Sequence, residues 1–318
     1  MTLGRSLAIA AGIILACISG TAPAADAVDS DGIGQTLARN ARELVSEIGQ
    51  KAEAWRSEAQ GFRQWQQVLV TRQDAQALAN LENLARRGHP GAMNFVGWLL
   101  DHGRGGVPQN SYKAATYFRE AARLGDTNAT YNLGLMFLQG RGIKADPAAA
   151  RLLFEQATAK SNPYAAIRLA MMAERDRRYD EAARFYSKGL YGGKHTLATF
   201  KTGFYAFRGT GGVRDRKGGI MLMDKAAGQW DPEAMATLME IKTKGIFVPE
   251  DPVEAGKWFI LLSRNPIPEA RNRLETVRAM VSFTDTQWEG AQKAAAIWLK
   301  YHPLPDLQTI PRYNETIF

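Results

Sequence analysis

From Lys113 to Phe137 the chain reads KAATYFREAARLGDTNATYNLGLMF, and that stretch recurs along the sequence in altered form. Related segments align on Ala92, Ala129, Ala165, Ala198 and Ala234, at steps of 37, 36, 33 and 36 residues. Five residues after these alanines stand Gly97, Gly134, Ala170, Gly203 and Met239. Glycine-centred loops follow: Gly103-Arg104-Gly105, Gly140-Arg141-Gly142 and Gly209-Thr210-Gly211, with a lone Gly245 in the fifth segment. A second stretch then carries small and aromatic residues: Ala114, Ala115, Tyr117 and Phe118; Ala149, Ala150 and Phe154; Ala182, Ala183, Phe185 and Tyr186; Met221, Ala226 and Ala227; Ala255, Trp258 and Phe259. A fixed period of this length is the signature of a repeat array.

The pattern predicts two helices per period. A small residue where the helices cross lets their backbones approach, and an aromatic from the partner helix fills the space beside it. Glycines accept the positive φ needed to reverse the chain between helices. Asp146-Pro147 and Asp251-Pro252 fit an N-cap followed by proline at the first helical position. One such pair cannot bury its apolar face alone, whereas stacked neighbours can.

The runs Ala129-x-x-Asn132-Leu133-Gly134-Leu135-Met136-Phe137 and Lys113-Ala114-Ala115-Thr116-Tyr117-Phe118-Arg119-Glu120-Ala121-Ala122-x-x-Gly125 resemble the Sel1-like repeat (SLR) family, a subgroup of tetratricopeptide-type α/α solenoids. The resemblance covers residues 77–264 as five repeats. It implies an all-α, right-handed superhelical solenoid with capping helices at both ends. The third unit departs: it lacks the glycine loop and runs Glu174-Arg175-Asp176-Arg177-Arg178-Tyr179-Asp180-Glu181, closer to a plain tetratricopeptide repeat. Some secreted members of the family carry a disulfide in each repeat; this chain has none.

The flanks carry their own signals. Arg5, the apolar run Leu7 to Ile18, and Ala22-Pro23-Ala24 read as a secretory signal peptide over residues 1–24, which contain no acid. The expected location is therefore periplasmic or secreted. Cys17, the only cysteine, weakly resembles a lipoprotein processing box, so membrane association is expected only if it is lipidated. Otherwise it leaves with the signal, and disulfides and Cys-based zinc sites are excluded. Residues 25–76 form an N-terminal helical region in which Ile33, Leu37, Leu44, Ile48, Ala52, Trp55 and Ala59 stand at helical spacing. That helix is expected to cap the first repeat; a dimerising or partner-binding arm is the alternative. Residues 75–88 read as the second helix of an incomplete unit. Residues 265–302 read as a terminal pair, Arg271 to Val281 and Asp285 to Tyr301, which the resemblance supports through Thr284, Trp288, Ala291, Ala294, Ala295 and Trp298. Residues 303–318 read as an extended tail.

Catalytic signals are missing. His89, His102, His195 and His302 are scattered, with no two-histidine helical spacing, so no metal site and no cofactor is expected. His89 reads as a polar turn residue. Gly192-Gly193-Lys194-His195 lacks the first glycine and the hydroxyl residue of a phosphate loop. Asp180 and Glu181 read as solvated or capping carboxylates at a helix start. No nucleophile elbow is present, and the chain is expected not to be an enzyme.

The resemblance implies that the first helix of each pair lines the concave side. Positions three, six and ten after the repeat alanine share a helix face. They give Phe95, Trp98 and His102; Asn132, Leu135 and Gln139; Arg168, Met171 and Arg175; Lys201, Phe204 and Arg208; Thr237, Glu240 and Lys244. The expected partner-binding residues are Phe95, Trp98, Arg168, Arg175, Lys201, Phe204, Arg208 and Lys244. With 40 Lys and Arg against 32 acids, for a net charge of +8, they form a basic column with aromatic anchors suited to an acidic partner. The alternative is that these are solvated positions on a basic protein. The expected function is a non-catalytic periplasmic adaptor for envelope proteins with acidic segments. Relatives by fold take part in exopolysaccharide export or regulation, flagellar motor assembly and host interaction. The second reading is a glycan-binding module for peptidoglycan or an anionic exopolysaccharide, with Phe95, Trp98 and the basic column on sugar rings and uronic-acid carboxylates. Nucleic acid is not an expected partner of an exported chain.

Overall fold

The structure is a computed structural model describing residues 62, 64–67, 75–190, 195–212 and 214–305. The signal segment with Cys17, the helix expected over residues 33–59, Gly192 to Lys194, and the tail from residue 306 lie outside the described residues. The chain divides into two units, Met1–Asn83 and Leu84–Phe318.

Helix α1 (Ala75–Arg86) runs across that division. Five antiparallel pairs follow: α2 (Pro90–His102) with α3 (Ser111–Arg123), α4 (Thr127–Gln139) with α5 (Pro147–Ala159), α6 (Pro163–Arg175) with α7 (Tyr179–Gly189), α8 (Thr196–Arg208) with α9 (Arg216–Gly228), and α10 (Pro232–Lys244) with α11 (Pro252–Arg264). Two helices close the chain, α12 (Pro268–Arg278) and α13 (Asp285–Tyr301), and α13 packs on α11 rather than on α12, so the terminal pair expected from the sequence does not pair with itself. The first of these starts and ends three residues earlier than the sequence suggests, because Pro268 supplies the first turn. The second helix of each unit packs on the first helix of the next, which makes the pairs a solenoid.

Capping residues set the repeat's phase. Three residues before the aligned alanines, His89, Asp126, Asn162 and Asp231 each accept the alanine N–H through a side chain, at 2.7–3.0 Å. His89 is thus the turn residue expected of it. Asp146 and Asp251 cap α5 and α11 as their Asp-Pro pairs predict. The junction between units uses a left-handed residue, Gly88 and Gly125 in glycine form, but Ser161 and Trp230 in two other units.

The helix crossings match the expected small-against-aromatic scheme. A Cβ on Gly97 would stand 2.8 Å from the Phe118 ring, and one on Gly134 would stand 2.6 Å from Phe154. At Gly203 it would meet the Gly219 carbonyl oxygen at 2.7 Å, so backbone touches backbone there. In the same unit Met223 is fully buried while Met221 is 63% exposed, which corrects the sequence assignment of Met221 to the packed face.

The glycine loops dock each unit onto the preceding one. Arg141 Nη1 reaches back 2.8 Å to the fully buried Asp101 carboxylate. A Cβ on Gly142 would lie 2.3 Å from the Ser111 backbone. The Gly211 N–H donates to Asp180 Oδ1 at 2.7 Å. At the C-terminal end, Trp298 stands edge-on to Trp230 and Trp258, and Trp230 Nε1 donates to the Pro303 carbonyl at 2.8 Å.

Candidate functional site

The third unit joins α6 to α7 through residues 176–178 alone, where α2 and α3 are joined by 103–110. The turn needs a left-handed residue and uses Arg177 at φ +58°. The Arg178 N–H closes it onto the Ala173 carbonyl at 2.8 Å. With no loop standing over this corner, a cleft of about 860 Å³ opens between the end of α6, the start of α7 and the outer half of α8.

Its floor is polar and fully used. Glu174 accepts from Tyr186 Oη at 2.9 Å, from Lys201 Nζ at 2.8 Å, and from the Tyr205 hydroxyl. Burial, reinforced by that carboxylate, pushes both phenols well above their usual range, so they remain protonated donors. On the α7 side Arg178 pairs with Asp176 and Glu181, and Glu181 also takes Arg151 of the second unit at 2.9 Å. Glu181 is therefore a cross-unit ion-pair partner, not the solvated carboxylate the sequence suggests. Asp180 is held by the Gly211 N–H.

The rim is different. Arg177, Arg184 and Arg208 line the cleft and are exposed. No carboxylate among the described residues pairs with any of the three. Arg208 lies over the Phe204 ring at 5.4 Å, and Tyr179 is half exposed beside them. Guanidinium forks of this kind match carboxylates two hydrogen bonds at a time.

Of the expected binding residues, Lys201, Phe204 and Arg208 meet in this cleft. Arg175 and Lys244 stand exposed outside it, paired with Asp176 and Glu240. Phe95 is fully buried and Trp98 is 7% exposed, stacked against each other and covered by Arg104. Arg168 is 5% exposed, beside Tyr131 and the Met171 sulfur. These three are not surface contacts. Three residues past Ala129, Asn132 turns toward the neighbouring first helix and donates to Asn94 Oδ1 at 2.8 Å. Arg177, Arg184 and Tyr179 were missed in the sequence, although the run from Glu174 to Glu181 marked the place by breaking the repeat. Among the described residues no three His, Cys, Asp or Glu side chains gather as metal ligands, and no helix is long and apolar enough to cross a membrane.

Residues 90–126, 127–162, 196–229 and 234–265 match the family model for the Sel1 repeat; the third unit is not among the matches. No curated protein matches the chain. The solved structures that resemble it include two described as SLR or Sel1 repeat proteins. One is a protective antigen present in uropathogenic Escherichia coli strains that displays an SLR fold: TM-score 0.62, 22% identity, 71% of this chain and 49% of that one covered. The other is a Sel1 repeat protein from Oxalobacter formigenes: TM-score 0.60, 22% identity, 73% and 97% covered. The chain spans about half the length of the first. At such identity these likenesses establish the fold alone.

Proposed function

The chain belongs to the Sel1-repeat proteins, and on that premise we propose that it is a non-catalytic adaptor whose cleft at the third unit holds an acidic segment of a partner protein. Sel1-repeat proteins are generally protein-interaction scaffolds. The observation that carries the reading is the trio Arg177, Arg184 and Arg208, exposed on one cleft without carboxylate partners, in a protein of net charge +8. Long-range attraction speeds encounter, and the aromatic walls supply desolvated contact.

The partner belongs to the cell envelope if the chain is exported. Support for export is in the sequence: Arg5, the apolar Leu7 to Ile18 and Ala22-Pro23-Ala24. The glycan-binding alternative placed Phe95 and Trp98 with the basic column on sugar rings and uronic-acid carboxylates; with the two aromatics buried it would rest on the basic column alone.

The test is fluorescence anisotropy with a labelled glutamate-rich peptide. Joint reversal of Arg177, Arg184 and Arg208 to Glu is expected to weaken binding by about tenfold or more at low salt, and salt is expected to weaken the native protein's binding likewise. Lys244→Glu, outside the cleft, serves as the control. Equal binding by the triple variant and the native protein would sink the reading.

A further inference from the structure

A second groove, of about 350 Å³, adjoins the arginine cleft and shares Phe204 and Arg208 with it. Its walls are apolar: Phe204, Phe207, Ile241, Ile246 and Phe247. Its one carboxylate is already matched, since Lys244 Nζ sits 2.7 Å from Glu240.

This groove also marks a departure from the repeat. Thirteen residues past the aligned alanine, three units place a glycine, Gly105, Gly142 and Gly211, each at positive φ. Gly142 and Gly211 lie so close to the preceding unit that a Cβ would stand 2.3 Å from the Ser111 backbone or 2.8 Å from Ala183. The fifth unit places Phe247 there, at φ +59° and 60% exposed. A left-handed phenylalanine is a strained choice that the fold's own repeat shows to be avoidable. Its ring lies under the Arg216 guanidinium at 4.1 Å, so the fifth loop rests on the preceding unit through a large side chain, where Gly142 lies against the Ser111 backbone.

Two separate departures therefore flank one helix, α8. The third unit has lost its loop, and the fifth has exchanged a glycine for phenylalanine. Resting on the acidic-segment reading above, we infer that the two clefts form one bipartite site for an extended peptide bearing clustered Asp or Glu and, nearby, one bulky apolar residue. The carboxylates sit among Arg177, Arg184 and Arg208, and the apolar side chain enters the groove beside Phe247. A cavity of about 150 Å³ takes a benzene ring, so the groove at about 350 Å³ has room for Leu or Phe. The two clefts share Phe204 and Arg208, so the apolar residue lies close to the acids along the extended chain.

The experiment measures short labelled peptides on the full protein: two glutamates with a nearby Phe, the same with Phe→Ala, and the same with both Glu→Gln. The native protein is expected to lose about tenfold in affinity with Phe→Ala, and more with Glu→Gln. Phe247→Gly and Thr237→Lys, each checked for native helix content, are expected to abolish the Phe preference and leave the glutamate preference. Two glutamates binding as well with Ala as with Phe would overturn this inference and leave the acidic-segment reading standing. A Phe preference that survives both variants would also overturn it. Failure of every glutamate peptide, with or without binding of a uronate oligomer, would end both.

Discussion

At the residue scale, glycine and its substitutes set the spacing of the helices. Gly134 is the sharpest case, because a methyl group there would sit 2.6 Å from the buried Phe154 ring. Neither the ring, fully buried, nor the paired helices can yield cheaply, so Gly134→Ala is expected to destabilise by about 1–3 kcal/mol despite alanine's better helix propensity. Gly228→Ala, whose new methyl would lie 3.4 Å from the His302 ring, is expected to change the melting temperature little. Denaturant unfolding of the two variants checks the contrast. Asp231 behaves differently. Burial raises its carboxyl to about 7, against the pull of the Ala234 N–H it accepts. The folded protein therefore binds a proton that the unfolded chain has released between about pH 4 and 7. Stability from this group is fully present below the ordinary carboxylate range and is lost as pH rises to about 7. Asp231→Asn keeps the cap, as Asn162 does in the third unit, and is expected to melt above the native protein at about pH 8 and to converge with it near pH 4. Thermal melts across that range decide the matter, and a constant difference would point to some other cause.

At the element scale, the loops matter as much as the helices. The Gly140-Arg141-Gly142 loop does not simply reverse the chain; it sends Arg141 back to Asp101, whose side chain has no exposure. Removing the cation leaves the carboxylate's burial without its ion pair. Arg141→Ala is expected to cost about 2–3 kcal/mol, below the roughly 3–5 typical of a wholly buried pair because Arg141 is itself about one-third exposed. Asp101→Asn in the same background should restore part of the loss, which urea titration of the single and double variants would reveal. The helix pairs of the repeats and the Asp146 and Asp251 caps were legible in the sequence, because they depend on neighbours within a few positions; the capping box of Thr284 and Gln287 has the same local origin. The docking of one unit's loop on another was not, since Ser111 and Gly142 are far apart in the chain and the glycine gives no sign of what it touches.

At the scale of the whole molecule, the fourth unit's first helix is where two exceptions meet. Lys201, Phe204 and Arg208 were legible as candidate contacts from helical periodicity, and the structure brings them together. Phe95, Trp98 and Arg168 occupy the same register positions and are buried. The reason is physical: periodicity tells which residues share a face of a helix, but not whether that face meets water or the next helix. The sequence alone determined the solenoid, since a period near three dozen residues with small and aromatic positions in phase has one economical way to bury its apolar surface. Only the tertiary structure decided which cations are already spent on Glu174, Asp176, Glu181 and Glu240, and that Arg177, Arg184 and Arg208 at the cleft have no carboxylate partner among the described residues. Charge pairing depends on distances between side chains from different units, and no local pattern encodes those.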